Sequence, residues 1–210
     1  MINPFKVVED FEEAIAEYCG SKYAVAVDSC TNALTLCCDY YKVNKVWIPK
    51  HTYVSVPQSI ILAGGKVAFV EDNDWQKYGA YSLYPYPIVD SARLCTSGMY
   101  KTIQTKPIIN AVPLVCLSLH WGKTFNLGQG GVILTNDKKA VKYLKKARWD
   151  GRTAGKAPAK DKIAFIGRHC PMSPRDAADA LTRLHFLPKH NKPLPEEKGY
   201  ADLSTFEVFK

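Results

Sequence analysis

No apolar run in this sequence approaches the roughly 20 residues that span a bilayer. Ile60-Ile61-Leu62-Ala63 stops at Gly64-Gly65, so a membrane-spanning helix is not expected. The N-terminal Met1-Ile2-Asn3-Pro4-Phe5-Lys6 lacks the charged-then-apolar pattern of a secretory signal. Metal-site spacing is missing from the seven cysteines: Cys37 and Cys38 are adjacent, and the others are scattered through apolar runs. We expect no metal, reduced and mostly buried thiols, and a cytoplasmic location. There is no internal repeat and no low-complexity tract.

What is present is a chain of 210 residues, 47% hydrophobic. That suffices for one globular domain with a sizeable core and a small appendage. The net charge of +8 is concentrated. Lys138, Lys139, Lys142, Lys145, Lys146 and Arg148 fall close together, followed by Arg152, Lys156, Lys160 and Lys162. Without aromatic interleaving or a nucleic-acid motif, this reads as a solvated helix face and a loop, and nucleic acid is not the expected partner.

In chain order, residues 8–19 have helical spacing, with Phe11, Ile15 and Tyr18 on one face and Gly20 as the stop. Residues 23–27 read as a buried strand. Asp28-Ser29-Cys30-Thr31-Asn32 then leads into a helix reaching about Tyr41. The free N–H groups and dipole of that helix suit an anion such as phosphate, with Ser29, Thr31 and Asn32 as side-chain donors. Plain N-capping accounts for the same residues. Residues 45–48 and 66–70 read as further strands, with a helix from about His51 to Ala63 between them. This βαβαβ order predicts a parallel sheet with crossover helices. Tyr53 follows a strand, where an aromatic ring can stack on a flat ligand or fill a core gap. Residues 71–86 carry five aromatic residues with no period and read as an irregular connection. Residues 87–90 form a short strand ending in Asp90, a carboxylate placed to hold a protonated ring nitrogen or to cap the next turn.

Two apolar runs, 114–120 and 132–135, flank a loop holding Lys123 among Gly122, Gly128, Gly130 and Gly131. A lysine partly desolvated by the strands beneath it becomes a nucleophile for an aldehyde. A simple hairpin with a solvated lysine is the alternative. Residues 138–149 read as a basic helix and 150–164 as a polar loop. Ser173 caps, and Pro174 opens, a helix reaching Phe186. Residues 206–209 can pack as a strand or fray.

The order of these features resembles the DegT/DnrJ/EryC1/StrS family of pyridoxal-phosphate-dependent sugar aminotransferases. The matching phrases are Ser29-Cys30-Thr31-Asn32-Ala33-Leu34, Pro49-Lys50-His51-Thr52-Tyr53-Val54-Ser55, Val89-Asp90-Ser91-Ala92 and Ser118-Leu119-His120-Trp121-Gly122-Lys123. Gly130-Gly131-Val132-Ile133-Leu134-Thr135-Asn136-Asp137 extends the last, and Met172-Ser173 precedes an Ala-rich helix. The resemblance implies an α/β type I transferase (aspartate aminotransferase-like) large domain, with a mixed, mostly parallel sheet flanked by helices. That domain would cover residues 1–187, shortened between 71 and 87. Residues 188–210 would be a tail or a remnant of the small C-terminal domain.

The resemblance also implies roles. Lys123 would form the Schiff base with the aldehyde of pyridoxal 5'-phosphate and shuttle a proton. Asp90 would pair with the pyridinium nitrogen and Tyr53 would stack on the ring. Thr31, Asn32 and Ser118, with Ser29, would hold the phosphate. Arg93 stands where the family has Gln or His near the ring hydroxyl, and His169 where an Asn reaches a partner subunit's phosphate. The implied activity moves an amino group from an amino acid, glutamate above all, to a keto-sugar nucleotide, in a homodimer. A changed substrate and a non-catalytic binding protein are the alternatives.

Overall fold

The computed structural model describes residues 3–72, 74–103, 111–163 and 165–210. Met1 and Ile2 of the N-terminal reading and Ala164 at the end of the polar loop lie outside them. The elements are α1 (Lys6–Cys19), β1 (Tyr23–Val27), α2 (Cys30–Tyr41), β2 (Lys45–Pro49), α3 (Ser55–Leu62) and β3 (Lys66–Val70). Then come α4 (Trp75–Tyr78), β4 (Tyr81–Ser82), β5 (Ile88–Asp90), α5 (Met99–Thr102), β6 (Leu114–Ser118), β7 (Gly131–Thr135), α6 (Lys138–Ala147) and α7 (Pro174–Phe186).

Five strands form a mixed sheet in the order β1-β7-β6-β5-β4. β5 and β6 are parallel, while β1/β7, β6/β7 and β4/β5 are antiparallel. β2 and β3 pair in parallel in a second, two-stranded sheet. Trp47 bridges to Tyr84 beyond β4, exchanging both backbone hydrogen bonds. This corrects the βαβαβ expectation. β1 does not join β2 and β3 through crossover helices but takes β7, more than 100 residues later, as its neighbour. Local pattern marks a strand; it carries no information on which distant strand completes the ladder.

The large sheet is buried on both faces, and alternate residues feed two cores. Val115, Leu117, Val132 and Leu134 face α1, α5 and α7, packing with Phe11, Ile15, Met99, Ala177 and Ala180. Leu114, Cys116 and Ile133 face α2, α3 and α6, packing with Leu34, Leu36, Ile60 and Leu144. α1 ends at Gly20, whose φ of 80° closes the helix as its N–H donates to Ala16 and Glu17. α7 starts where the sequence places it: Ser173 accepts from the Asp176 N–H, with Pro174 in the first turn. All seven cysteines are free thiols. Among the described residues no helix is long and apolar enough to cross a membrane, and no His, Cys, Asp and Glu group could hold a metal.

The basic cluster is partly absorbed into the fold. Arg148 is buried and donates to Glu12 on α1 and to the Ala26 carbonyl at 2.5 Å. Lys145 reaches the second Glu12 oxygen at 3.0 Å. Residues 188–210 form neither strand nor helix beyond two short 3-10 turns. They run as a strap past Tyr18, Arg93, Gln76 and Lys50, and Phe209 ends beside Phe69 with ring centroids 6.2 Å apart.

Candidate active site

The lysine loop is tied down at several points. Leu119 donates to the Gly130 carbonyl, Trp121 to that of Gly128 and Leu127 to that of Leu119. Phe125 is buried against Phe11, and Arg183 of α7 donates to the Asn126 carbonyl at 2.7 Å. Within this frame the Lys123 N–H donates to the His120 carbonyl at 2.9 Å, which fixes a tight turn. The Lys123 side chain is half-buried, and its amine makes no hydrogen bond or ion pair among the described residues.

β6 and β7 leave the loop as a hairpin, with Ser118 opposite Gly131. Gly131 meets the start of α2 so closely that a side chain has no room. The lysine loop is thereby docked on the helix N-terminus read from the sequence as an anion site. Ser29 caps that helix, accepting from the Asn32 N–H at 3.2 Å. The polar side chains there have internal partners. Asn32 donates to Asp28 at 2.7 Å, Ser29 donates to the same carboxylate oxygen at 3.1 Å, and Thr31 donates to Ser55 at 2.9 Å. Asp28 and Ser55 were not singled out in the sequence; the capping residues around them offered the signal.

The Thr31–Ser55 contact brings the start of α3 against the start of α2. Tyr53, just before α3, is 59% exposed, so a face of its ring is open to a ligand. Its neighbour Thr52 is buried and lies 2.6 Å from the Tyr81 hydroxyl, which donates to Asp90 Oδ2 at 3.0 Å. Asp90 Oδ1 accepts from the Ala92 N–H at 2.9 Å. Burial pushes the Asp90 carboxyl above its ordinary range, opposed by the Ala92 and Tyr81 hydrogen bonds and by the Lys123 charge. Burial likewise pushes the Cys30 thiol well up; Asp90 and Cys116 add to this and Lys123 opposes it. Lys123, Asp90 and Cys30 thus lie within electrostatic reach of one another, at the start of α2.

Arg93 and His169 have partners of their own. Arg93 is buried, but its guanidinium donates to the Tyr200 hydroxyl at 3.2 Å and to the Leu194 and Pro195 carbonyls. It holds the strap. His169 is on the surface, 2.9 Å from Asp150 and edge-on to Trp149. A cleft of about 1080 Å³ is lined by Tyr81 with Trp47, Trp75, Tyr78 and Tyr84; Lys123 and Asp90 do not line it.

A half-buried lysine and a buried carboxylate act electrostatically on each other beside a helix N-terminus that the lysine loop touches, and the exposed Tyr53 follows the Thr52 that is hydrogen-bonded toward the same carboxylate. This donor set fits an aldehyde-bearing, cationic, phosphorylated ring. The first 78 residues are similar to the DegT/DnrJ/EryC1/StrS aminotransferase family, whose model they match. The UDP-4-amino-4,6-dideoxy-N-acetyl-beta-L-altrosamine transaminase of Campylobacter jejuni is 25% identical over 183 residues, 70% of this chain and 48% of the relative. GDP-perosamine synthase of Caulobacter vibrioides is 22% identical over 88% of this chain and 58% of its own length. The chain spans about half the length of the curated relatives it matches. Among solved structures, Helicobacter pylori PseC, an aminotransferase involved in the biosynthesis of pseudoaminic acid, superposes with a TM-score of 0.66 at 17% identity. That match covers 87% of this chain and 58% of PseC. The NtdA structure from Bacillus subtilis with bound cofactor PMP gives 0.67 at 17% identity, over 86% and 48%. Over the part covered, the fold is therefore that of these two solved structures, an α/β architecture with a mixed sheet between helices.

Proposed function

We propose that this chain is a pyridoxal-phosphate-dependent aminotransferase that moves an amino group from an amino acid, glutamate in the first instance, to a keto-sugar nucleotide. The observation that carries the reading is the meeting of Lys123 and Asp90 at the start of α2. The relatives' names, which pair transaminase or synthase with UDP-, GDP- and dTDP-linked sugars, support the acceptor class. When bound, pyridoxal phosphate supplies an aldehyde that exchanges amines and a ring that accepts electrons from the substrate carbon.

The chain's own residues do the rest. Lys123 offers the amine that anchors the aldehyde and then holds and moves a proton at its Nζ. Asp90 presents a fixed negative charge to the ring nitrogen. Tyr53 covers a ring face, and Ser29, Thr31, Asn32 and Ser118 stand around the phosphate position, backed by the α2 dipole. Engagement of a phosphate there requires Asn32 and Ser29 to turn from Asp28. Residues 1–187 serve as the large domain, residues 188–210 as its strap. A homodimer in the cytoplasm completes the reading, the latter supported by seven unpaired thiols.

The test is direct. Purified protein incubated with pyridoxal phosphate should develop a visible absorbance band. Borohydride should fix the cofactor on the Lys123 peptide, and glutamate should shift the band. Lys123→Ala should abolish both. A band that survives in Lys123→Ala, or fixation on another lysine, overturns the assignment.

A further inference from the structure

We propose that Tyr81 is a positioning residue: with Thr52 it forms a buried, directed hydrogen-bond relay that orients the Asp90 carboxylate and holds its charge toward a cationic ring nitrogen. The inference rests on the reading of the pocket as a pyridoxal-phosphate site and deepens it.

The geometry comes from the sheet. β4 lies antiparallel to β5 with Tyr81 directly opposite Asp90. The Tyr81 hydroxyl is 3.0 Å from Asp90 Oδ2 and 2.6 Å from Thr52 Oγ1. An ionised carboxylate only accepts hydrogen bonds, so the single Tyr81 proton is committed to Asp90. The Tyr81 oxygen must then accept from Thr52. The direction is fixed: Thr52 to Tyr81 to Asp90. All three are buried, at 2%, 8% and 5% exposure, so water does not substitute for a missing donor. Among the described residues each Asp90 oxygen has a single donor, Ala92 N–H or Tyr81 O–H, which leaves lone-pair capacity for a ring N–H. Thr52 also precedes Tyr53, so one turn supplies both the open ring face and the head of the relay. Burial works against the Asp90 charge, and the relay supplies part of what opposes it.

Tyr81→Phe and Thr52→Val test this, with affinity for pyridoxal phosphate measured across pH by absorbance titration. Tyr81→Phe should weaken binding at least about tenfold near neutral pH, the scale of one hydrogen bond to a buried charge. The loss should grow as pH falls, because an undersupported carboxylate takes up its proton earlier. Thr52→Val should move affinity the same way by less. In an Asp90→Asn background Tyr81→Phe should add nothing. Wild-type affinity and pH profile in Tyr81→Phe, or an equal loss in the Asp90→Asn background, overturns the relay and leaves the cofactor site standing. Absence of binding by the wild type overturns both. Circular dichroism and melting confirm that each variant is folded; if Tyr81→Phe is not, Thr52→Val decides, and wild-type binding by it overturns the relay.

Discussion

A Cβ placed on Gly131 would sit 2.4 Å from the carbonyl carbon of Ser29 and 2.6 Å from the backbone nitrogen of Cys30. Glycine is required here for space, since the strand leaving the lysine loop touches α2 backbone to backbone. That contact makes one site out of two segments about 100 residues apart. Gly131→Ala must push β7 from the helix start, an overpacking worth about 1–3 kcal/mol. Urea unfolding should show the loss, and affinity for pyridoxal phosphate should fall with it. A wild-type unfolding midpoint would mean that the two segments part without cost.

Asp90 has an unusual linkage to pH. Its folded carboxyl lies above the ordinary value of 3.8. The folded state therefore binds this proton more tightly than the unfolded chain. Stability contributed by the protonated group is complete below 3.8, declines as pH rises toward the folded value, and is gone above it. Asp90→Asn keeps the shape and removes the charge. Melted without cofactor near neutral pH, the variant should have the higher Tm, and its advantage should vanish as pH falls below the aspartate range. A lower Tm at neutral pH would mean that Tyr81 and Ala92 more than offset burial. The same variant should bind pyridoxal phosphate poorly, a trade of function against stability.

The sequence made some of this legible. Ser173-Pro174 located the start of α7, and the apolar runs at 23–27 and 66–70 located β1 and β3. The partner of β1 was hidden because pairing with β7 is non-local. α5 was missed because four residues show no period. At the site, Lys123 and Asp90 stood out as charged groups at the ends of apolar runs. Tyr81 did not, being one of five aromatic residues without spacing, and only the β4/β5 register sets it opposite Asp90. Arg93 stands where the resemblance puts a residue near the ring hydroxyl, and its contacts with the strap were not legible because residues 194–200 are about 100 positions away.

Glu12 and Arg148 show what the basic segment contributes to the fold. Glu12 accepts from the Ala26 N–H at 2.9 Å and from Arg148, both deep in the protein. Among the described residues, Arg148 Nε is already buried without a hydrogen-bond partner. Glu12→Ala would strand the guanidinium charge, and breaking a buried pair this way costs about 3–5 kcal/mol. Urea denaturation should report that loss. A loss below about 1 kcal/mol, the worth of an exposed pair, would show that water reaches Arg148.

Arg93 separates a contact with the strap from a contact with a ligand. Its guanidinium lies 6.0 Å from the Trp75 ring and 5.8 Å from the Tyr200 ring, and its carbonyl accepts the Leu194 N–H at 2.9 Å. Arg93→Met keeps much of the buried volume and removes the guanidinium's hydrogen bonds to Leu194, Pro195 and Tyr200. The strap should open before the domain unfolds, since it adds few apolar side chains to the core. Limited tryptic cleavage at Lys198 should accelerate about tenfold or more, as loss of about 1.4 kcal/mol from a local opening equilibrium predicts, with a smaller fall in Tm. Tyr200 lies near enough to Asp90 for that charge to help raise its hydroxyl. Opening the strap therefore also admits water toward Asp90 and relieves the burial that holds its carboxyl up. If Arg93 instead touched the ring hydroxyl of a bound cofactor, Arg93→Met would lower cofactor affinity while the cleavage rate stayed at the wild-type value.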